Sequence, residues 1–83
     1  MILYLYSTLG CHLCELAKAE LWPALTHRDL RVQEVDISES DDLLERYGVR
    51  IPVLRVEGHL LELQWPFDTA GVEAFLRQVE GGA

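Results

Sequence analysis

The sequence lacks a long apolar segment and is poor in basic residues. None of its apolar runs approaches the roughly 18–20 residues of a transmembrane helix, so we expect no membrane partner. Seven basic residues stand against 14 acidic ones, giving a formal net charge of −7 at pH 7. Such a chain repels phosphate backbones, and we expect no nucleic-acid partner. No basic residue precedes the first apolar stretch, as it would in a signal peptide, so we expect a cytoplasmic protein.

The length and composition are those of one folded domain. The chain has 83 residues, of which 49% are hydrophobic and 25% charged. That balance is typical of globular proteins and excludes a disordered or fibrous chain. Since we find no repeat and no linker, we expect a single domain over residues 1–83, acting as a monomer.

Cysteine is scarce, and its placement is informative. The chain has two cysteines, Cys11 and Cys14, in one Cys-x-x-Cys motif. A disulfide across so short a loop stabilises a fold little, and the cytoplasm disfavours structural disulfides. Redox chemistry and metal binding are the alternatives. A structural zinc ion needs four ligands, and we expect no metal site because the histidines are scattered, at His12, His27 and His59.

The first half of the chain predicts a strand, a helix and a second strand. Residues 2–7 are aromatic and aliphatic, as in a buried strand, and a helix is expected to begin near Cys11. Pro23 is expected to kink or end this helix, because it lacks an N–H group. Residues 31–36 alternate like a strand. The apolar face predicted for the helix comprises Leu13, Leu16, Ala17, Leu21, Ala24 and Leu25.

The second half predicts a short helix, a hairpin and a closing helix. The pattern Ser38-x-x-Asp41 resembles a capping box, and Gly48 stands where a left-handed residue ends a helix. Residues 52–56 and 60–63 flank a turn and form the predicted hairpin. The last helix is expected to bury Val72, Phe75, Leu76 and Val79.

The order of elements is therefore β-α-β-α-β-β-α. A parallel βαβ unit followed by an antiparallel hairpin and a helix predicts an α/β fold with a mixed four-stranded sheet and helices on both faces. This order resembles the thioredoxin-like arrangement.

The position of the two cysteines predicts their chemistry. The unpaired N–H groups and the positive dipole end of a helix stabilise a thiolate at Cys11. Cys14 lies about one turn later, within reach of Cys11. Cys11 would attack a substrate disulfide and Cys14 would resolve the mixed disulfide. His12 would either stabilise the thiolate when protonated or simply face solvent, and both interpretations stay open.

Three segments carry a resemblance to a known family. Residues 6–18 (YSTLGCHLCELAK) resemble a glutaredoxin active-site segment, Ile51-Pro52 resembles the cis-proline loop, and Asp68 matches an aspartate before the last helix. The chain most resembles a short glutaredoxin-like branch of the thioredoxin superfamily, with its RIPVL (50–54) and WPFD (65–68) segments. This resemblance implies that Pro52 is cis and faces the cysteines, and that the backbone of Ile51 pairs with substrate. Without it, Pro52 would be an ordinary trans proline and Asp68 a helix cap.

The departures from the glutaredoxin pattern concern glutathione. Trp65-Pro66 stands where the family has a Gly-Gly pair that lets glutathione approach the backbone closely. Trp65 would form an apolar platform beside the thiols or pack in the core, and Phe67 is expected in the core. Arg50 would supply a charge to substrate or be merely solvated. We expect no bound cofactor, with glutathione as the alternative.

The sequence thus predicts a thiol-disulfide oxidoreductase acting on a protein disulfide or a small thiol. The expected catalytic residues are Cys11 and Cys14. The alternatives are a non-catalytic binding module, an iron–sulfur carrier or a redox sensor on the same fold. The expected substrate-binding residues are His12, Arg50, Ile51, Pro52, Trp65 and Asp68.

Overall fold

A mixed four-stranded sheet forms the centre of the structure, a computed structural model that describes residues 1–26 and 28–81. Its strands are β1 (Ile2–Ser7), β2 (Arg31–Asp36), β3 (Val53–Val56) and β4 (Glu62–Gln64). They lie in the order β2-β1-β3-β4, with β1 parallel to β2 and antiparallel to β3, and β3 antiparallel to β4. The helices are α1 (His12–Leu25), α2 (Asp41–Tyr47) and α3 (Thr69–Gly81), with a 3-10 turn at Ile37–Glu39. The predicted element order and thioredoxin-like fold are confirmed.

The sheet buries a separate apolar cluster on each face, because successive side chains of a strand point to opposite sides. On one face, Leu3 and Leu5 of β1 pack with residues of α1 and α3. On the other, Tyr6 of β1 packs with Ile37, Tyr47 and Val53. Helices therefore cover both faces, as predicted.

Helix α1 buries a narrower face than its sequence predicts. Leu13 and Leu16 are each 43% exposed. The helix also does not end at Pro23 but continues to Leu25. A proline so close to the C-terminus removes only one helical hydrogen bond, and Thr26 Oγ1 donates to Pro23 O at 3.0 Å. The buried residues of the helix are Cys14, Ala17, Leu21 and Ala24.

Helix α2 is capped differently from the prediction. Ser40, not Ser38, is the N-cap, and its Oγ accepts the Leu43 N–H at 3.3 Å. Ser38 instead donates from its N–H and its Oγ to Asp36 Oδ1, which closes the 3-10 turn. Gly48 is not left-handed: its φ is −50° and its N–H donates to Leu44 O at 2.8 Å.

The hairpin and α3 largely follow the predicted pattern. The hairpin turn contains Gly58 at φ +83°, a conformation that favours glycine. Strand β4 begins at Glu62 rather than at residue 60, and Leu60 is 95% exposed. The four residues predicted for the core face of α3 are all buried. No helix within residues 1–26 and 28–81 is long and apolar enough to span a membrane.

Candidate active site

The two cysteines lie at the start of α1, directly after β1 and a tight turn. Gly10 forms that turn at φ +76°. Cys11 is the N-cap of α1, and its Sγ accepts the Cys14 N–H at 3.1 Å. The two residues form a disulfide, with their Cα atoms 5.2 Å apart. Cys11 is partly exposed, whereas Cys14 is only 2% exposed.

The two sulfurs lie in different surroundings. The Cys11 sulfur receives a backbone N–H at the positive end of the helix dipole, an environment that stabilises a thiolate. Cys14 is shielded inside the helix face that packs on the sheet. An incoming disulfide can therefore reach Cys11 first.

A cavity of about 430 Å³ opens beside the disulfide. His12, the first residue of α1, is exposed and lies on its wall. The lining residues are Thr8, Leu9, Gly10, Cys11, His12, Cys14, Glu15, Lys18 and Glu34.

Three charged residues of this cavity form a network that sequence reasoning missed. Lys18 Nζ lies 2.9 Å from Glu15 and 3.0 Å from Glu34. The buried Ser7 donates from Oγ to Glu34 Oε2 at 2.8 Å. Hydrogen bonds to Glu15 and Glu34 raise the pKa of Lys18, and those from Lys18 and Ser7 lower the pKa of Glu34. The i, i+3 spacing of Glu15 and Lys18 was the one local signal for this network.

The predicted proline loop lies at the same sheet edge as the cysteines. The register pairs Tyr6 with Val53, and one further step brings Pro52 beside Ser7, at the end of β1 that leads to Cys11. The Ile51–Pro52 peptide bond is cis, as is Trp65–Pro66. The Ile51 N–H donates to Tyr47 O at 3.2 Å, so pairing of this N–H with substrate would require that bond to open.

Arg50 points to β4 and α2 instead of the cavity. Its Nη2 donates to Glu62 Oε1 at 2.7 Å and its Nε to Gln64 Oε1 at 3.1 Å, and its guanidinium stacks over the Tyr47 ring. The Tyr47 hydroxyl also donates to Glu62. Burial and Glu62 raise the pKa of Tyr47 to about 12, so this hydroxyl remains a donor. The structure thus gives Arg50 structural partners and does not place it on the cysteine cavity.

Trp65 lies next to Pro52, since its N–H donates to Pro52 O at 3.1 Å. Its partly exposed ring meets Phe67 edge to face, with centroids 5.1 Å apart. Phe67 packs against the core beneath α3, as predicted. Trp65 thus packs against Phe67 and does not line the cysteine cavity.

Asp68 is the cap of α3. Its Oδ1 accepts the Gly71 N–H at 2.7 Å, and its carbonyl accepts the Val72 N–H at 3.0 Å. The ordinary interpretation of this residue, a helix cap, is therefore the one that the geometry supports.

Comparison with known proteins identifies the family. The model of the glutaredoxin-like domain (DUF836) matches residues 2–77. The chain belongs to this glutaredoxin-like family. The X-ray structure of structural genomics target protein XcR50 from X. campestris is 38% identical, with a TM-score of 0.76 over 89% of this chain and 93% of that one. No curated protein matches.

Two thioredoxins share the fold of this glutaredoxin-like domain at low identity. Thioredoxin 1 from Thermosipho africanus is 14% identical, with a TM-score of 0.69 over 99% of this chain and 98% of that one. Chloroplastic thioredoxin z is 20% identical, with a TM-score of 0.67 over 98% of this chain and 79% of that one. These likenesses show the fold, while the family and the Cys11–Cys14 pair support a redox-type function.

Metal ligands do not cluster in the described part of the glutaredoxin-like domain. Within residues 1–26 and 28–81, no group of three or more His, Cys, Asp or Glu side chains is placed to hold a metal ion. His27, one of the scattered histidines, lies outside the described residues.

The cap at Asp68 gives a direct test of its role in the glutaredoxin-like domain. Asp68→Ala is expected to lower the free energy of unfolding by about 1 kcal/mol, because the Gly71 N–H loses its acceptor. Asp68→Ser keeps an acceptor, so its free energy of unfolding is expected to fall by only a few tenths of a kcal/mol. Urea unfolding of the three proteins measures both effects. Equal losses for alanine and serine would show that the carboxylate does more than cap the helix.

Proposed function

We propose that this glutaredoxin-like domain is a thiol-disulfide oxidoreductase in which Cys11 is the nucleophile and Cys14 the resolving thiol. The observation that carries the proposal is the unequal exposure of two bonded sulfurs at a helix N-terminus. The partly exposed Cys11 receives an N–H donor, and the buried Cys14 lies next to it.

The reaction follows from this placement. The Cys11 thiolate attacks one sulfur of a disulfide R–S–S–R, forms a mixed disulfide and releases the first thiolate, which takes a proton from water. Cys14 then gives its proton to solvent, and its thiolate attacks the Cys11 sulfur; the second substrate sulfur leaves as a thiolate and takes a proton from solvent. The substrate gains two electrons and two protons, and the protein ends as the Cys11–Cys14 disulfide seen in the structure.

The proposed substrates are disulfides of proteins or of small molecules. The cavity opens at the protein surface beside Cys11, and the exposed Leu9 and His12 form part of its wall. Peptide segments and small disulfides can both enter an open site of this kind.

A redox titration tests the proposal. The protein is equilibrated in glutathione buffers of graded potential and acid-quenched, and the mass of each thiol state is measured. We expect a reversible internal disulfide with a midpoint between about −200 and −270 mV, the range of working redoxins. The double variant Cys11→Ser/Cys14→Ser supplies the baseline.

Other results would favour the alternative functions. Thiols that do not react across this range, or a mass that includes a metal, would contradict the proposal and favour a binding or iron–sulfur module. Accumulated glutathione adducts on Cys11 would show that glutathione is a partner and that Cys14 resolves the mixed disulfide slowly.

A further inference from the structure

We propose that the cavity beside Cys11 selects disulfides that carry a positive charge next to the reacting sulfur and disfavours anionic ones such as oxidised glutathione. The inference rests on the proposed function and adds the substrate class. The charges that line the cavity and the bonds that fix them carry the argument.

The lining of the cavity is net negative. Counting histidine as neutral, its charged side chains are Glu15, Glu34 and Lys18, a sum of −1. A second cavity of about 280 Å³ shares Thr8, Leu9 and Glu34 with the first and adds Asp36. A substrate at Cys11 therefore meets three carboxylates and one ammonium group along one continuous surface.

The single ammonium group is already paired. Lys18 Nζ lies within 3.0 Å of both Glu15 and Glu34, so an anionic substrate would have to compete with two carboxylates for it. A cationic group on the substrate, in contrast, meets more carboxylates than cations. Glu34 is also held in place by the buried Ser7.

Two of the acidic groups, Glu34 and Asp36, have lowered pKa values. Hydrogen bonds from Lys18 and Ser7 lower the pKa of Glu34, and those from the Ser38 side chain and backbone lower the pKa of Asp36. Both carboxylates are therefore ionised at neutral pH.

Arg55 of β3 and Arg50, which precedes the proline loop, do not offset this charge. Arg50 is paired with Glu62, and Arg55 donates to the Tyr6 hydroxyl and to His59 O. Tyr6 belongs to the cluster on the α2 side of the sheet, opposite α1. Neither guanidinium lines the cysteine cavity.

The charge acts on the first step of the exchange. As a cationic disulfide approaches, the Cys11 thiolate forms a bond to one of its sulfurs and the other sulfur leaves as a thiolate, which takes a proton from water. An ammonium group two carbons from the sulfur reaches the carboxylates during the encounter. Complementary charge raises the rate of such encounters, and like charge lowers it.

Three small disulfides test the selectivity. The reduced protein is mixed with cystamine (positive), hydroxyethyl disulfide (neutral) or dithiodipropionate (negative), and formation of the Cys11–Cys14 disulfide is timed. Each rate is divided by that of dithiothreitol with the same disulfide, which cancels differences between the leaving groups. At low salt we expect cystamine to exceed dithiodipropionate about tenfold, since one unit of charge at about 6 Å in water changes a rate about threefold and the pair differs by two units. The preference should shrink to about twofold near 0.5 M salt.

A pair of double variants locates the effect. Glu15→Gln/Glu34→Gln leaves Lys18 and Asp36, whose charges cancel along the surface formed by the two cavities, and is expected to bring the normalised rates of cystamine and dithiodipropionate close to equality. Asp42→Asn/Glu45→Gln removes two charges from the exposed surface of α2 and is expected to keep the wild-type preference. Circular dichroism checks that each variant is folded.

The outcomes separate the two proposals. Equal normalised rates for the three disulfides would overturn the selectivity and leave the proposed function standing. Failure of every disulfide to oxidise the cysteine pair would overturn the proposed function itself. A preference lost in the α2 variant but kept in the cavity variant would assign the effect to overall charge and overturn the cavity assignment.

Discussion

The Cys11→Ser variant is expected to lose disulfide exchange by about a thousandfold or more, because a serine hydroxyl does not ionise near neutral pH and cannot replace a thiolate. The remaining Cys14 is only 2% exposed and does not reach an external disulfide. The measurement is the rate at which the reduced variant consumes hydroxyethyl disulfide.

The Cys14→Ser variant is expected to fail at the next step. Its Cys11 keeps the N-cap position and still attacks substrate, but no second sulfur lies beside it. A mixed disulfide accumulates, visible as a mass increase of one substrate thiol per protein. The double variant controls for reaction at other groups. Equal turnover by the two single variants would show that the assignment of nucleophile and resolving thiol is wrong.

The parts of the fold that the sequence predicts well are those fixed by local pattern. In β1, Leu3 and Leu5 alternate with Tyr4 and Tyr6, and the two sets fill different clusters. In α3, four apolar residues recur at helical spacing and all are buried. Periodicity determines the buried face of α3, since this helix has one apolar stripe, whereas the largely apolar β1 is buried on both faces.

Helix α1 shows where periodicity misleads. Its sequence has apolar residues on a wide arc, and the structure buries the part of it centred on Ala17, Leu21 and Ala24. Small alanines let the helix lie close to its neighbours. Thr69 Oγ1 also donates to Glu20 O, which ties α1 to α3. Tertiary packing selects one part of the arc, and the sequence does not show which part.

Helix ends depend on competition between nearby hydrogen bonds. Ser38 and Ser40 are both good caps, but Asp36 accepts the N–H and the hydroxyl of Ser38. This leaves Ser40 to accept the Leu43 N–H at the start of α2. A pattern of residue types two positions apart does not decide between them.

The candidate site also has local features that the sequence predicts and non-local ones that it does not. The spacing of Cys11 and Cys14 and their position before a helix are local, and the sequence predicts them. The Lys18–Glu34 pair is not local, because Lys18 lies on α1 and Glu34 on β2. The two residues meet only when β2 pairs with β1 in the sheet. The cap at Asp68 is local as well, since Gly71 lies three residues further on, and the sequence offers it. Arg50 and its partner Glu62 are twelve residues apart, and only the folded chain brings them together.

Of the substitutions proposed for unfolding measurements, Leu21→Ala is expected to lower the free energy of unfolding most. Leu21 is fully buried in the cluster between α1 and the sheet, so truncation leaves a cavity and costs about 3 kcal/mol. For a domain of this size that lowers Tm by roughly 15 °C, and it is a large part of the 5–15 kcal/mol that folded domains usually have. Urea and thermal unfolding measure the loss, with the cysteine pair kept oxidised in every sample.

Leu16→Ala is the matched control, since it makes the same truncation on the same helix. Leu16 is 43% exposed, and its substitution is expected to cost less than about 1 kcal/mol. Both variants place alanine, the best helix former, at an interior helical position, so helix propensity changes equally and the difference reports burial. Equal losses would mean that α1 rests on the wide apolar face predicted from its periodicity, and the orientation of the helix that carries Cys11 would then be wrong.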